Sequence, residues 1–223
     1  MENLQAILVQ AHSYLYDVET REAGIALLRK VESMGRISHR SEEAQGPDTW
    51  ERFLTSVILE HGDWSITEHA YVTVVVVTDR GITHEIVRHR IASYTQESTR
   101  FVRYGKKHVL TFIMPEDMSP EDMTNNTKIL DLCTQQYYAN LDRGMKPQIA
   151  RSFLPMALAS KLAMTYNLRN WRHYFLMRTT RETHPELRRI TIPLLAKFKE
   201  FIPLLYNDIV PMTRQRDAMR MMR

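Results

Sequence analysis

The 223-residue sequence predicts an α+β fold, a single domain over residues 1–223 in which helices flank a mixed β-sheet. Three observations carry that prediction. β-Branched runs concentrate in the middle of the chain, helical periodicity dominates both ends, and neither a repeat nor a low-complexity linker divides it. With 43% hydrophobic and 25% charged residues, the composition is that of a packed domain and not of a disordered chain.

Residues 1–60 read as helical, interrupted by a loop near Ser38–Asp48 that carries Gly46-Pro47. Glu51 to Glu60 reads as a short amphipathic helix that stops at Gly62. His69 to Asp79 (HAYVTVVVVTD) is the clearest strand, and its apolar character on both faces predicts a buried central position. Gly81 reads as a turn, Thr83 to Arg90 as a short helix, and His108 to Met114 as a second strand closed by Pro115. From Pro120 the pattern is helical, with Leu130, Cys133, Tyr137 and Leu141 at steps of three and four. Met145 to Leu158 predicts another helix, disturbed by Pro155. Leu162 to Asn167 predicts a short strand, and Arg169 to Arg178 and Pro185 to Tyr206 predict helices.

The formal charge of +4 suits anionic partners such as phosphates but selects none of them. No run approaches the roughly 18 apolar residues of a membrane span. The N-terminus has no basic segment before its apolar stretch, so no secretory signal is read there. Cys133 is the one cysteine, which excludes an internal disulfide and a cysteine metal cluster and makes the cytoplasm the expected compartment. Glycine-rich signatures of Rossmann and P-loop nucleotide sites are absent. His84 and His89 are five residues apart, about 140° around a helix, so the zinc-binding H-E-x-x-H geometry is not met and no metal is expected.

The segment richest in chemistry is Arg88 to Tyr104, RHRIASYTQESTRFVRY. Arg88-His89-Arg90 is followed by Ser93, Thr95, Gln96 and Glu97, then by Ser98, Arg100 and Arg103. Guanidinium forks with nearby hydroxyls form a good anion-binding set. A second set contains Asn167-Leu168-Arg169, Arg172-His173 and Met177-Arg178, with Arg151 upstream. Residues 169, 172 and 173 share a helix face, and Arg178 is expected to point elsewhere. The plainer alternative for both sets is a solvated charged face paired with carboxylates such as Glu85 and Glu97. Ser65-Ile66-Thr67-Glu68 has capping-box spacing, but the strand follows too closely for a long helix.

Arg88-His89-Arg90, seven residues and Ser98 together form R-H-R-x7-S, and the surrounding HEIVRHRIASYTQESTRF resembles the flavin-dependent thymidylate synthase family. The resemblance extends from Ser65-x-x-Glu68-His69 through Arg151 and Asn167-Leu168-Arg169 to Met177-Arg178 and Glu186-Leu187-Arg188. It implies a homotetramer with active sites between subunits, converting dUMP to dTMP. The implied cofactor is FAD, with NADPH as reductant and 5,10-methylenetetrahydrofolate as one-carbon donor. By resemblance, Ser65, Arg88, His89, Arg90, Gln96, Asn167, Leu168, Arg169 and His173 would hold FAD. Glu85, Arg88, Gln96, Glu97, Ser98, Thr99, Arg100, Arg151 and Arg178 would bind dUMP, with Ser98 and Arg178 also catalytic and Arg178 activating the uracil ring. This sequence has Asp63, Phe101, His173 and Glu182 where many members have His, Tyr, Asn and His.

Cys133 lies on an apolar stripe without a basic neighbour, so a structural role is expected and no cysteine nucleophile is required. A basic module for single-stranded nucleic acid is the competing class, resting on Trp171-Arg172-His173-Tyr174, Phe101-Val102-Arg103-Tyr104 and the terminal Arg214, Arg216, Arg220 and Arg223. The small charge excess and interspersed carboxylates argue against it, and no nucleic-acid polymer or membrane partner is expected.

Overall fold

A computed structural model describes residues 5–105 and 107–212. The four terminal arginines of the nucleic-acid reading lie outside the described residues. The described residues contain six strands: β1 (Ile7–Leu8), β2 (His12–Leu15), β3 (Tyr71–Asp79), β4 (Ser93–Gln96), β5 (Thr111–Phe112) and β6 (Ala159–Asn167). The α-helices are α1 (Arg21–Ile37), α2 (Trp50–Leu54), α3 (Arg80–Ile86), α4 (Pro120–Asp142), α5 (Pro147–Ala150), α6 (Leu168–Arg178) and α7 (Pro185–Phe201). Four strands form a sheet in the order β2-β3-β6-β4, and β1 pairs with β5 in parallel through Ile7–Thr111 and Leu8–Phe112. An antiparallel bridge joins Phe112 to Leu158, so the α+β, mixed-sheet class is observed. β3 occupies the interior sheet position that its apolar run predicts.

The chain divides into two compact units, and the division falls within β3, β4 and β6. The first comprises residues 1–12, 76–88 and 95–163. Its core gathers Tyr104, Leu110, Phe112, Leu130, Tyr137, Leu141, Ala150 and Leu158. Cys133 is only half-buried, at the margin of the α4 stripe.

The second unit comprises residues 13–75, 89–94 and 164–223. Thr20 caps α1 by accepting from the Ala23 N–H, and Leu28, Val31 and Glu32 recur on the buried face of the helix. The buried Glu32 carboxylate accepts two bonds from Arg36 on the next turn. Trp171 stacks on Phe175 at 5.6 Å and donates its indole N–H to the Val72 carbonyl at 2.9 Å. Phe198 and Tyr206 complete this aromatic core.

Several sequence expectations need correction. Residues 5–20 are not helical: they carry β1 and β2, strands too short to leave a periodic signal. Gly81 lies inside α3, which starts at Arg80 because the Asp79 carboxylate caps it, and which ends before Arg88-His89-Arg90. The strand expected over His108–Met114 is only Thr111–Phe112. Met145–Leu158 is not one helix. Pro147 opens α5, a 3-10 turn follows over Arg151–Phe153, and Pro155 has no N–H with which to continue. The last strand is longer than expected, Ala159–Asn167, and α7 stops at Phe201 instead of Tyr206. β4 was not expected, and it shapes the segment before Ser98.

At Gly24, α1 packs against the C-terminal end of α7. A Cβ there would stand 1.8 Å from the Phe201 carbonyl oxygen, so any side chain must push the helices apart. Gly24→Ala is expected to destabilise the protein by about 3 kcal/mol, measured by urea unfolding. A loss below about 0.5 kcal/mol, the range of neutral surface changes, would contradict this packing.

Candidate active site

In the first unit, the polar segment after β4 closes into a tight turn. The Ser98 carbonyl accepts from the N–H groups of Phe101 and Val102, and the Ser98 hydroxyl accepts from the Arg100 N–H at 3.3 Å. Thr99 is buried, and its hydroxyl accepts from Arg151 Nη1 at 2.7 Å. Arg100 Nε donates to Gln148 Oε1 at 3.3 Å, one helical turn before Arg151. Ser98, Thr99, Arg100 and Arg151, predicted from separate stretches of sequence, are thereby brought together. Both arginines engage neutral acceptors here, which leaves their charge available to an anion.

The remaining residues of this group are more constrained. Gln96 gives both amide N–H groups to the hydroxyls of Thr83 and Ser160, at 2.9 and 3.1 Å. Any ligand contact from Gln96 therefore falls to its carbonyl oxygen. The Glu97 carboxylate is turned inward, accepting from the Tyr104 hydroxyl at 2.7 Å. Glu85 is half-buried near the end of α3, and Arg88 is exposed just beyond it.

In the second unit, α6 and residues 89–94 form the other group. Asn167 spends its side-chain oxygen on the Asn170 N–H at 2.8 Å, capping α6. Leu168 is buried, with its N–H bonded to the Ala70 carbonyl and its own carbonyl accepting from Tyr206. These two residues build the helix start, and Leu168 presents no side chain to a ligand. Asn170 Nδ2 holds the Ile91 carbonyl at 3.0 Å, tying the residues after Arg90 to α6. Arg90 and His173 are exposed, and Arg169 shares an exposed ion pair with Glu68. Ser65 donates to Asp63 Oδ1 at 2.7 Å within a 3-10 turn and makes no capping bond to that turn.

Arg178 does not point away from this group. Its Nε donates to His89 Nε2 at 2.8 Å, and the His89 ring meets His173 and Tyr174 edge-on. Because a guanidinium N–H can only donate, His89 Nε2 must be an acceptor and the neutral ring carries its proton on Nδ1. Burial first, then the Arg178 charge and His173, holds the His89 pKa down from 6.5 to about 4. Tyr94 donates to the His89 carbonyl at 2.6 Å and exchanges a hydrogen bond with Tyr166 at 2.7 Å. Burial raises the pKa of both phenols. The sequence reading missed this tyrosine pair, because it joins positions 72 residues apart with no motif between them.

Arg172 follows the plain structural alternative. It pairs with Asp208, whose carboxyl is held below its usual range chiefly by that hydrogen bond, and lies over the Trp64 ring at 4.5 Å. Of the aromatics cited for a nucleic-acid module, Trp171, Tyr174 and Tyr104 are buried and Phe101 is exposed.

Fold and side chains thus define a mixed-sheet α+β protein in which Arg151 is bonded to the Thr99 hydroxyl beside Ser98 and Arg100, with no glycine-rich nucleotide signature in its sequence. The chain belongs to the family described as thymidylate synthase complementing protein, whose sequence model matches residues 21–204. It is 36% identical over 155 residues to a flavin-dependent thymidylate synthase of Pyrococcus abyssi, a match covering 66% of this chain and 64% of that protein. The chain therefore spans slightly less than two thirds of that relative's length. A relative with the same name from Mycobacteroides abscessus is 33% identical over 196 residues, covering 80% and 78% of the two chains. Among solved structures, the UMP/dUMP methylase PolB of Streptomyces cacaoi, bound with 5-Br dUMP, shares the fold with a TM-score of 0.71. That likeness covers 90% of this chain and 95% of PolB at 21% sequence identity.

The depressed His89 pKa has a definite sign. Its contribution to stability is complete above pH 6.5 and is lost as pH falls toward 4, because the unfolded chain takes up a proton that the folded chain refuses. His89→Gln retains an acceptor but cannot titrate. It is expected to flatten the fall in thermal midpoint between pH 6.5 and 4 relative to the parent protein. Parallel midpoint curves for the two proteins would contradict the assignment.

Proposed function

We propose that this chain is a flavin-dependent thymidylate synthase, which transfers a one-carbon unit from 5,10-methylenetetrahydrofolate to C5 of dUMP and yields dTMP. The observation that carries this reading is the joining of Ser98, Thr99, Arg100 and Arg151 through the Arg151–Thr99 and Arg100–Gln148 bonds. Two guanidinium groups beside hydroxyls form a phosphate-binding set. The family membership and the names of the relatives support the same reading. Glu85, Arg88 and the Gln96 carbonyl complete the proposed dUMP set, with Glu97 holding the loop behind them.

The donor chemistry of the second group suits FAD. Ser65, Arg90, Arg169 and His173 are exposed and supply hydroxyl, guanidinium and imidazole donors where a Rossmann protein would use a glycine-rich loop. The Arg169–Glu68 pair is exposed and therefore cheap to exchange for a ligand phosphate. Arg88, His89 and Gln96 belong to the same proposed set, and Asn167 and Leu168 support it by starting α6. FAD, when bound and reduced by NADPH, supplies a hydride.

In this proposal Arg178 stabilises the negative charge that develops on the uracil ring as C5 becomes electron-rich. Neutral His89 orients that guanidinium without competing for its charge. Ser98 and Arg100 grip the phosphate. Cys133 takes no part, and the working form is a homotetramer in which subunits share active sites. Among the described residues no helix is long and apolar enough to cross a membrane. The cytoplasm is the proposed compartment.

The test separates the two ends of the nucleotide. Arg178→Ala is expected to retain bound flavin, seen in its absorption spectrum, while dTMP formation is lost. Ser98→Ala and Arg100→Ala are expected to weaken dUMP binding roughly 10- to 150-fold, the range for charge-assisted hydrogen bonds. Unchanged dUMP affinity in both would remove the phosphate role. Loss of flavin from the Arg178 variant with intact dUMP binding would assign that arginine to the cofactor instead.

A further inference from the structure

A carboxylate directly beside a proposed phosphate site is an electrostatic liability, and the fold restrains it. Glu97 immediately precedes Ser98, yet its Oε1 is held by the Tyr104 hydroxyl at 2.7 Å and its Oε2 faces the Lys161 N–H at 3.4 Å. The Glu97 N–H donates to the Lys161 carbonyl at 2.8 Å, anchoring the residue to β6. Tyr104 is itself fixed. Its side chain is buried, its N–H donates to the Tyr137 hydroxyl at 3.2 Å, and the two rings meet edge-on at 5.9 Å.

We propose that Tyr104 is a positioning residue for phosphate binding: it restrains the Glu97 carboxylate so that the charge of Arg100 and Arg151 stays available to the phosphate of a nucleotide. Without that hydroxyl, Glu97 is a tethered anion one residue from Ser98, and it competes with the ligand phosphate for the same guanidinium groups. Burial and the Glu97 carboxylate both push the Tyr104 pKa up, so the group remains a phenol donor across the working pH range. The inference rests on the dUMP reading of this site.

The test compares dUMP with deoxyuridine, which lacks the phosphate, by titration of the flavin-loaded protein. Tyr104→Phe removes one oxygen from a packed ring. It is expected to weaken dUMP binding about tenfold, the effect of one hydrogen bond to a charged group, while deoxyuridine affinity and flavin content stay unchanged. Adding Glu97→Gln to Tyr104→Phe removes the competing charge and is expected to restore dUMP affinity, a rescue that mere loss of packing would not allow.

Equal loss of dUMP and deoxyuridine binding, unchanged dUMP binding in Tyr104→Phe, or failure of the double variant to recover would overturn the assignment. Should Tyr104→Phe not fold, Glu97→Gln alone carries the test. It is expected to bind dUMP more tightly than the parent, and weaker binding would overturn the assignment. A parent protein that binds neither ligand would overturn the functional reading, and this assignment with it.

Discussion

Two strand-to-helix junctions fix where the longest strands of the sheet give way to helices. β3 ends on Asp79 and β6 on Asn167, both with nearly the same extended backbone, φ −69 and ψ 163 against φ −71 and ψ 165. In each, the side-chain oxygen of the last strand residue accepts the N–H three residues on, so a helix begins where the strand stops. A cap of this kind contributes about 1 kcal/mol. Its larger consequence is positional. The Asp79 cap sets where α3 begins, and the Asn167 cap sets the start and phase of α6, which carries His173 and Arg178.

The arginines fall into two kinds by the company they keep. Arg36, Arg172 and Arg189 meet the carboxylates of Glu32, Asp208 and Glu186, and their charge is spent within the protein. Arg100 meets an amide and Arg151 a hydroxyl. A neutral acceptor fixes direction without cancelling charge, which is the arrangement that a site for an anionic ligand requires. His89, kept neutral by its low pKa, accepts from Arg178; a protonated ring would repel that guanidinium and could not accept from it.

Legibility in the sequence followed the physics of each element. β3, α4 and α6 could be read because their apolar patterns are long and local. β1, β2 and β5 could not, since strands of two to four residues are stabilised by distant partners and leave no period. The stretch from Met145 was misread because its composition favours helix while Pro147 and Pro155 decide the boundaries. At the site, the residue types and order of the R-H-R-x7-S segment were legible, as was Arg151. The Tyr104–Glu97, Tyr94–Tyr166 and Arg178–His89 bonds were not, since each depends on tertiary placement. Asn167 and Leu168, singled out by resemblance as cofactor residues, use their polar groups to build the start of α6.

In the proposed function dUMP is methylated by fixed positive charge and a bound flavin, with methylenetetrahydrofolate as carbon donor and without a cysteine thiolate. The most direct measurement is a single turnover of dUMP with methylenetetrahydrofolate and NADPH, following dTMP in the parent protein and in Cys133→Ser. The account expects equal dTMP yield from both proteins and none after the flavin is removed. Loss of dTMP in the serine variant alone, or its formation by flavin-free protein, would contradict it.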